Sequence, residues 1–316
     1  MRYNLLGNTG ISVSEIAFGG VEIGLPYGPG IRNEKEMLNE KEAVHLLRNA
    51  LDQGINFFDT ARMYGKSEEL MGEAFRGIRK EVVLCSKCRH LRDASGRLPD
   101  PEKLADLIHQ SLEESLKALR TDYLDVWMLH QADLEILQHE TVCRVFQDIQ
   151  KKGWARSIGA STYSVSESET AIRSGIWQVV QLPFNLLDQR QSAVFGLAGD
   201  QRVGLVARSV LLRGMLTRRG VHMQAPLAEI ERHISKYRNL AASHHMELPE
   251  YATRFVLAQP QFAAVLVGID KQEYLDRAVE TADMELISES LLEGAIPFPD
   301  PEFIDIPFWD RMGWLE

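Results

Sequence analysis

No apolar run in this 316-residue sequence approaches the roughly 20 residues that a membrane-spanning helix needs. The opening stretch MRYNLLGNTG also lacks the apolar core of a secretory signal, so a cytoplasmic location without a membrane partner is the expectation. Cysteine is scarce. Cys85, Cys88 and Cys143 are an odd set, too few for a disulfide framework. Cys85 and Cys88 form a C-x-x-C, but a zinc site needs about four ligands and no second pair exists, so no metal is expected. Clustered Lys/Arg is missing as well, and the net charge is -10. That balance argues against a nucleic-acid partner, yet leaves room for one anionic cofactor held by a few local cations. Absent too is a Gly-x-Gly-x-x-Gly after the first strand, which FGGVEIG does not match; this counts against an open doubly wound dinucleotide-binding sheet.

What remains is an ordinary globular composition, 45% hydrophobic and 25% charged. Short apolar strands alternate with amphipathic helices. The strand windows are 14–20, 55–60, 81–87, 123–130, 156–161, 179–184, 204–210 and 263–269. Between them, Leu104, Leu107, Leu112, Leu116 and Leu119 mark the apolar face of a helix over 101–119, and a second helix is predicted over 139–152. Eight buried strands alternating with helices predict a parallel sheet closed as a (β/α)8 TIM barrel, one domain over 1–316. Residues 3–13 read as a β-hairpin plugging its bottom, with Asn8 to Gly10 as the turn. The 20–40 loop is long and rich in Gly and Pro, and the irregular tail over 283–316 leaves the repeating pattern.

Polar residues stand where these strands end. Asp59 closes the second, Lys87 the third and His130 the fourth, while Tyr64 follows Asp59 by five residues. Each has an ordinary structural explanation: a helix cap, a surface lysine, a core histidine, an aromatic lid. A barrel, however, brings all these ends to one rim. There the types make chemical sense together. A free tyrosine titrates near ~10, and a nearby ammonium, Lys87, would lower it by favouring phenolate. Asp59 would keep a partly buried Lys87 charged. His130 would orient a substrate carbonyl, and Tyr64 would exchange the proton with its oxygen.

The chain resembles the aldo-keto reductase family, whose Asp, Tyr, Lys and His tetrad is matched by Asp59, Tyr64, Lys87 and His130. The likeness extends over LGNTGISVSEIAFGG, GINFFDTARMYG, LDVWMLHQAD, SIGAS and VGIDKQEYLDRAVE. It implies a nicotinamide cofactor, NADP(H) or NAD(H), and reversible hydride transfer with a small-molecule aldehyde, ketone or sugar. For the carboxamide it implies a Ser-Asn pair and a Gln. Here these are Ser161, Thr162 in place of Asn, and Gln181, so one hydrogen bond is expected to weaken or re-route. The ring-stacking aromatic is replaced by Arg208, whose plane can stack but is unfavourable against a positively charged oxidised ring. Ser209, Leu211 and Gly214 match the pyrophosphate loop. At the adenosine end, Asp270, two residues after Gly268, stands where a 2'-phosphate would want a cation, with Tyr274 and Ala278 beyond it. Lys271 and Arg277 are close enough in sequence to offset that charge. A lean to NAD(H), or dual use, follows.

The alternative reading is a regulatory subunit of the same fold that holds cofactor and turns over little; the intact tetrad favours catalysis. A third makes Lys87 a Schiff-base nucleophile, which leaves Asp59 and Tyr64 unexplained. Pocket walls are expected from the 20–40 loop, Trp127 and the tail aromatics Phe298, Phe303, Phe308, Trp309 and Trp314, although such tail residues can equally serve as anchors. Cys85 shares its strand face with Lys87 and is expected in the core, with Cys88 just beyond, close to the site.

Overall fold

The computed structural model describes residues 1–27, 33–285 and 287–314. At the N-terminus β1 (Tyr3–Leu5) and β2 (Ser12–Ser14) pair antiparallel, Tyr3 opposite Ser14 and Leu5 opposite Ser12. Eight further strands follow: β3 (Ile16–Gly19), β4 (Phe57–Asp59), β5 (Val83–Lys87), β6 (Leu124–Leu129), β7 (Ala155–Ser161), β8 (Val179–Pro183), β9 (Gly204–Arg208) and β10 (Phe262–Gly268). All pair in parallel in the closed order β10-β3-β4-β5-β6-β7-β8-β9. Every predicted window coincides with one barrel strand, β7 and β10 each beginning one residue earlier than predicted. The leucine-striped helix runs Pro101–Ala118, with Leu104 and Leu112 buried, and the second predicted helix runs Glu140–Lys151.

Period-two alternation sorts the strand residues into two layers. Phe57, Val83, Cys85, Val126, Met128, Val179 and Val206 face the barrel interior, where Leu6, Ile11 and Val13 of the hairpin join them. Their neighbours Phe58, Leu84, Trp127, Ile158 and Val180 pack outward against the helices. The hairpin sits at the bottom, because its bonds go to residues near strand starts: Asn4 Nδ2 donates to Ala263 O (3.0 Å), Ser14 N to Asn56 Oδ1 (2.7 Å) and Asn8 N to Arg202 O (2.9 Å). The C-terminal ends of the strands form the mouth at the opposite end.

In the 20–40 loop the described part holds a short helix, Val21–Gly24, and a turn of 3-10 helix, Glu34–Glu36; its stretch 28–32 lies outside the described residues. The tail carries short helices, Glu289–Glu293 and Ile306–Arg311, joined by irregular segments. Its aromatics act as anchors: Trp309 is fully buried, Phe298 meets His233 edge-on (5.4 Å) and Phe303 lies beside Trp309 (5.8 Å). Trp127 is a correction. With Val126 and Met128 pointing inward it must point outward, where it stacks on Phe146 (6.4 Å) instead of walling a substrate pocket.

Candidate active site

The alternation that buries Phe57 in the barrel also turns Asp59 inward at the end of β4, and Cys85 and Lys87 likewise share the inner face of β5. Lys87 is fully buried, which an ammonium tolerates only with its charge and donors met. Nζ donates to Asp59 Oδ2 (2.5 Å) and to Thr60 O (3.0 Å). Burial pulls the lysine pKa down, but Asp59, followed by Tyr64, outweighs it and holds the group above the usual lysine range. The other carboxylate oxygen, Asp59 Oδ1, accepts from Gln181 Nε2 (2.8 Å), reaching across the barrel from β8. Gln181 thus supports the carboxylate that supports the lysine.

Tyr64 stands on the loop after β4. Its ring centre is 5.0 Å from Lys87 Nζ and 5.3 Å from the His130 ring, which it meets edge-on at 82°. The loop is tied down along its length. Arg62 N donates to Lys87 O (3.1 Å), Ser67 N to Tyr64 O (3.0 Å) and Thr60 Oγ1 to Ser67 Oγ (2.8 Å). Arg62 also ion-pairs with the buried Glu68, which accepts from Ser86 Oγ (2.6 Å) on the outer face of β5. The short helix Val21–Gly24 presses on the same loop so closely that a Cβ at Gly24 would lie 1.9 Å from Tyr64 O, and one at Gly65 2.1 Å from Gly24 O. Only glycine permits that approach.

The phenol pKa differs in direction from the sequence expectation. Burial raises it above the usual value; Lys87 opposes that rise but does not reverse it, and Asp59 adds to it. The lysine ammonium is already engaged by Asp59, so less of its field reaches the phenol. His130 lies one residue past β6, beside His90 (5.1 Å), and burial with the charge of Lys87 holds its pKa well below the usual histidine range. The imidazole is neutral, and its Nδ1 is buried without a hydrogen-bond partner.

Of the other sequence candidates, Ser161 ends β7 and is buried. The Thr162 hydroxyl is hydrogen-bonded to Ser168 Oγ (2.7 Å) of the following helix, while its carbonyl accepts from Arg208 Nη2 (2.7 Å). Arg208 ends β9 with its guanidinium 4.3 Å from the centre of the Tyr163 ring. Ser209, Leu212, Arg213 and Gly214 take positive φ (59°, 47°, 54° and 94°), curling the loop after β9, which includes Leu211, over the rim. Gly268 ends β10, and its missing Cβ leaves room for the Glu22 carboxylate.

At the adenosine-side positions the ion pairing departs from expectation. Asp270 pairs with Arg219 (3.5 Å), whereas Arg277 is bound to Glu247 (2.8 Å) and Glu273 (2.8 Å), and Lys271 lies by the Tyr274 ring (5.7 Å). Arg219 and Glu22 were missed; the paired arginines of LTRRG, directly after the curled loop, were the available signal for the first. Cys88 is a small buried residue, fully enclosed, but it does not share the inner face with Lys87. It packs outward beneath the helix Pro101–Ala118, near Ser111, with its thiol pKa pushed up to about 12 by burial, so the C-x-x-C is split across the barrel wall.

Comparison with known proteins agrees with this geometry. A family model described as "Aldo/keto reductase family" matches residues 15–293. Aldo-keto reductase YhdN of Bacillus subtilis is 28% identical, with 97% of this chain and 98% of that protein covered. Versiconal hemiacetal acetate reductase of Aspergillus parasiticus is also 28% identical, with 92% and 95% covered. The solved structure of aldo-keto reductase AKR11C1 from Bacillus halodurans superposes with a TM-score of 0.79 at 22% identity, over 95% of this chain and 99% of that one, a likeness of fold. An eight-stranded barrel with a hairpin beneath it and a match to the family model over most of its length make this chain a member of the aldo/keto reductase family, oxidoreductases acting on carbonyl groups.

Proposed function

We propose that this protein is an NAD(P)(H)-dependent oxidoreductase that interconverts an aldehyde, ketone or sugar hemiacetal with its alcohol, with Tyr64 as general acid and base. The observation that carries the reading is the buried Lys87 set between Asp59 and the Tyr64 ring, with His130 edge-on to the same ring.

A nicotinamide dinucleotide suits the residues present. Two buried polar atoms at the mouth, His130 Nδ1 and Arg208 Nε, have no hydrogen-bond partner. Arg208, Arg213 and Arg219 line the segment after β9, as an anionic pyrophosphate requires. Ser161, Gln181, the 209–214 loop with Ser209, Leu211 and Gly214, and the Gly268–Asp270 end of β10 would hold the cofactor. Thr162 would contribute only through the second lone pair of its carbonyl oxygen, since its hydroxyl is bonded to Ser168, its N–H to Gln181 O (2.9 Å) and its carbonyl already accepts from Arg208. When bound, the reduced nicotinamide supplies the hydride. The carbonyl oxygen lies between Tyr64 and His130. Neutral His130 donates one N–H to it and fixes its orientation. As negative charge builds on that oxygen, the Tyr64 hydroxyl gives up its proton, and the Lys87 ammonium, held charged by Asp59, stabilises the phenolate. In the reverse direction the phenolate takes the alcohol proton. The relative that acts on a hemiacetal acetate supports a hemiacetal-forming substrate class.

For the adenosine end, Asp270 as acceptor for a ribose hydroxyl supports NAD(H), with Arg219 supplying the cation that permits dual use. Fluorescence titration with NADH and NADPH, then a carbonyl and sugar panel on the native protein and Tyr64→Phe, tests the whole reading. Both cofactors are expected to bind, with kcat/KM for NAD(H) no worse than about tenfold below that for NADP(H). Tyr64→Phe should bind cofactor normally and lose at least about a hundredfold in kcat. Retained turnover in the variant would sink the Tyr64 assignment, and a preference for NADP(H) above about a hundredfold would sink the role of Asp270.

A further inference from the structure

Arg208 closes β9 and therefore stands across the mouth from Lys87 of β5, four places away around the ring of eight strands. The two cations are treated differently. Lys87 is neutralised by Asp59 at 2.5 Å. Arg208 has no carboxylate partner among the described residues: it donates to Thr162 O (2.7 Å) and Ser209 Oγ (3.2 Å), lies against the Tyr163 ring, and keeps Nε buried and unpaired. With Lys87 neutralised by Asp59, Arg208 is left among the described residues as a cation at the mouth without a carboxylate of its own. Its field reaches the reacting end, since Arg208 is among the charges that act on both Tyr64 and His130.

A carbonyl oxygen placed between Tyr64 and His130 leaves its carbon in the mouth, so the ring that donates hydride must lie there as well, within the field of Arg208. That ring is neutral when reduced and carries a unit positive charge when oxidised. We propose that Arg208 makes the mouth discriminate between the redox states of the nicotinamide, holding the reduced form more tightly than the oxidised one. The inference rests on the oxidoreductase reading and deepens it. Its consequence is that the protein loads with the form that reduces carbonyls and releases the oxidised product readily. Because binding free energies close a thermodynamic cycle, the bound ring is by the same factor a weaker hydride donor than the free one.

The test is a pair of dissociation constants, NADH by fluorescence and NAD+ by competition, with NADPH and NADP+ run in parallel, for the native protein, Arg208→Gln and Arg208→Lys. Native protein is expected to favour the reduced form by at least about tenfold. Arg208→Gln should bring the ratio to within about threefold, and Arg208→Lys, which keeps the charge, should preserve most of it. Thermal melts of each variant confirm that folding is retained. An unchanged ratio in a folded Arg208→Gln protein overturns the inference alone. Failure of the native protein to bind either pair overturns the oxidoreductase reading and this inference with it.

Discussion

Lys87 illustrates how a charge survives in a barrel interior. Removing an ammonium from water is strongly unfavourable, and Asp59 offsets that loss only because Gln181 and Lys87 satisfy both of its oxygens. Glu22 is the contrasting case. Its Oε2 is buried without a partner, and burial together with the nearby Asp270 and Asp59 raises its pKa from the usual 4.5 to about 8. Between those two values the folded protein holds a proton that the unfolded chain has released, so stability falls as pH rises through that window. Glu22→Gln removes the titration. Its melting temperature should match the native protein near pH 4.5 and exceed it increasingly up to about pH 8, with no further divergence above. Melts by differential scanning fluorimetry across that range check this; a constant offset at all pH values would mean that Glu22 ionises normally.

At the scale of elements, the loop that carries Tyr64 owes its position to packing more than to its own preferences. Residues 61–66 are gripped between the short helix Val21–Gly24 and the Arg62–Glu68–Ser86 network on the outer wall of β5. Gly24→Ala should therefore act on a residue it does not chemically replace. The new methyl would meet Tyr64 O and Ser67 Cβ, overpacking of the kind that costs about 1–3 kcal/mol. Because displacing a proton donor by about 1 Å can cost on the order of a hundredfold in rate, kcat should fall at least tenfold while the NADH dissociation constant changes little. Steady-state kinetics beside a binding titration distinguishes this from general unfolding, which would weaken both. An unaltered kcat would show that the loop relaxes without moving Tyr64.

For the whole molecule, the barrel separates stability from chemistry by placing them at opposite ends of the same strands. The hairpin buries Leu6 and Val13 completely among the inward residues of the barrel floor, whereas the tetrad stands at the mouth. Leu6→Ala should cost about 2–4 kcal/mol of stability, the usual range for a buried leucine whose cavity only partly collapses. It should leave kcat per folded molecule unchanged. Denaturant unfolding beside turnover numbers checks both halves of that expectation, and a loss of kcat in fully folded protein would show that floor and mouth are mechanically coupled.

Much of this was legible in the sequence. Short apolar windows spaced by amphipathic helices specified eight strands, and alternation along FFD and LCSK determined that Asp59, Cys85 and Lys87 face inward while Cys88, one step past the strand end, does not share that face. The same alternation, applied to LDVWML, places Trp127 outside, a step the pocket-wall expectation failed to take. The barrel, in turn, makes any polar residue at a strand end a rim residue. The choice of partner is a different matter. Gln181 on Asp59, 122 residues apart, Arg219 on Asp270, 51 apart, and Arg277 on Glu247, 30 apart, are pairings between groups that no local pattern relates. Local periodicity decides which face of an element a side chain occupies; which charge it meets there, and so whether Arg277 is available to a phosphate or Lys87 lowers a phenol pKa, is decided only when closure of the barrel brings distant strands and loops together.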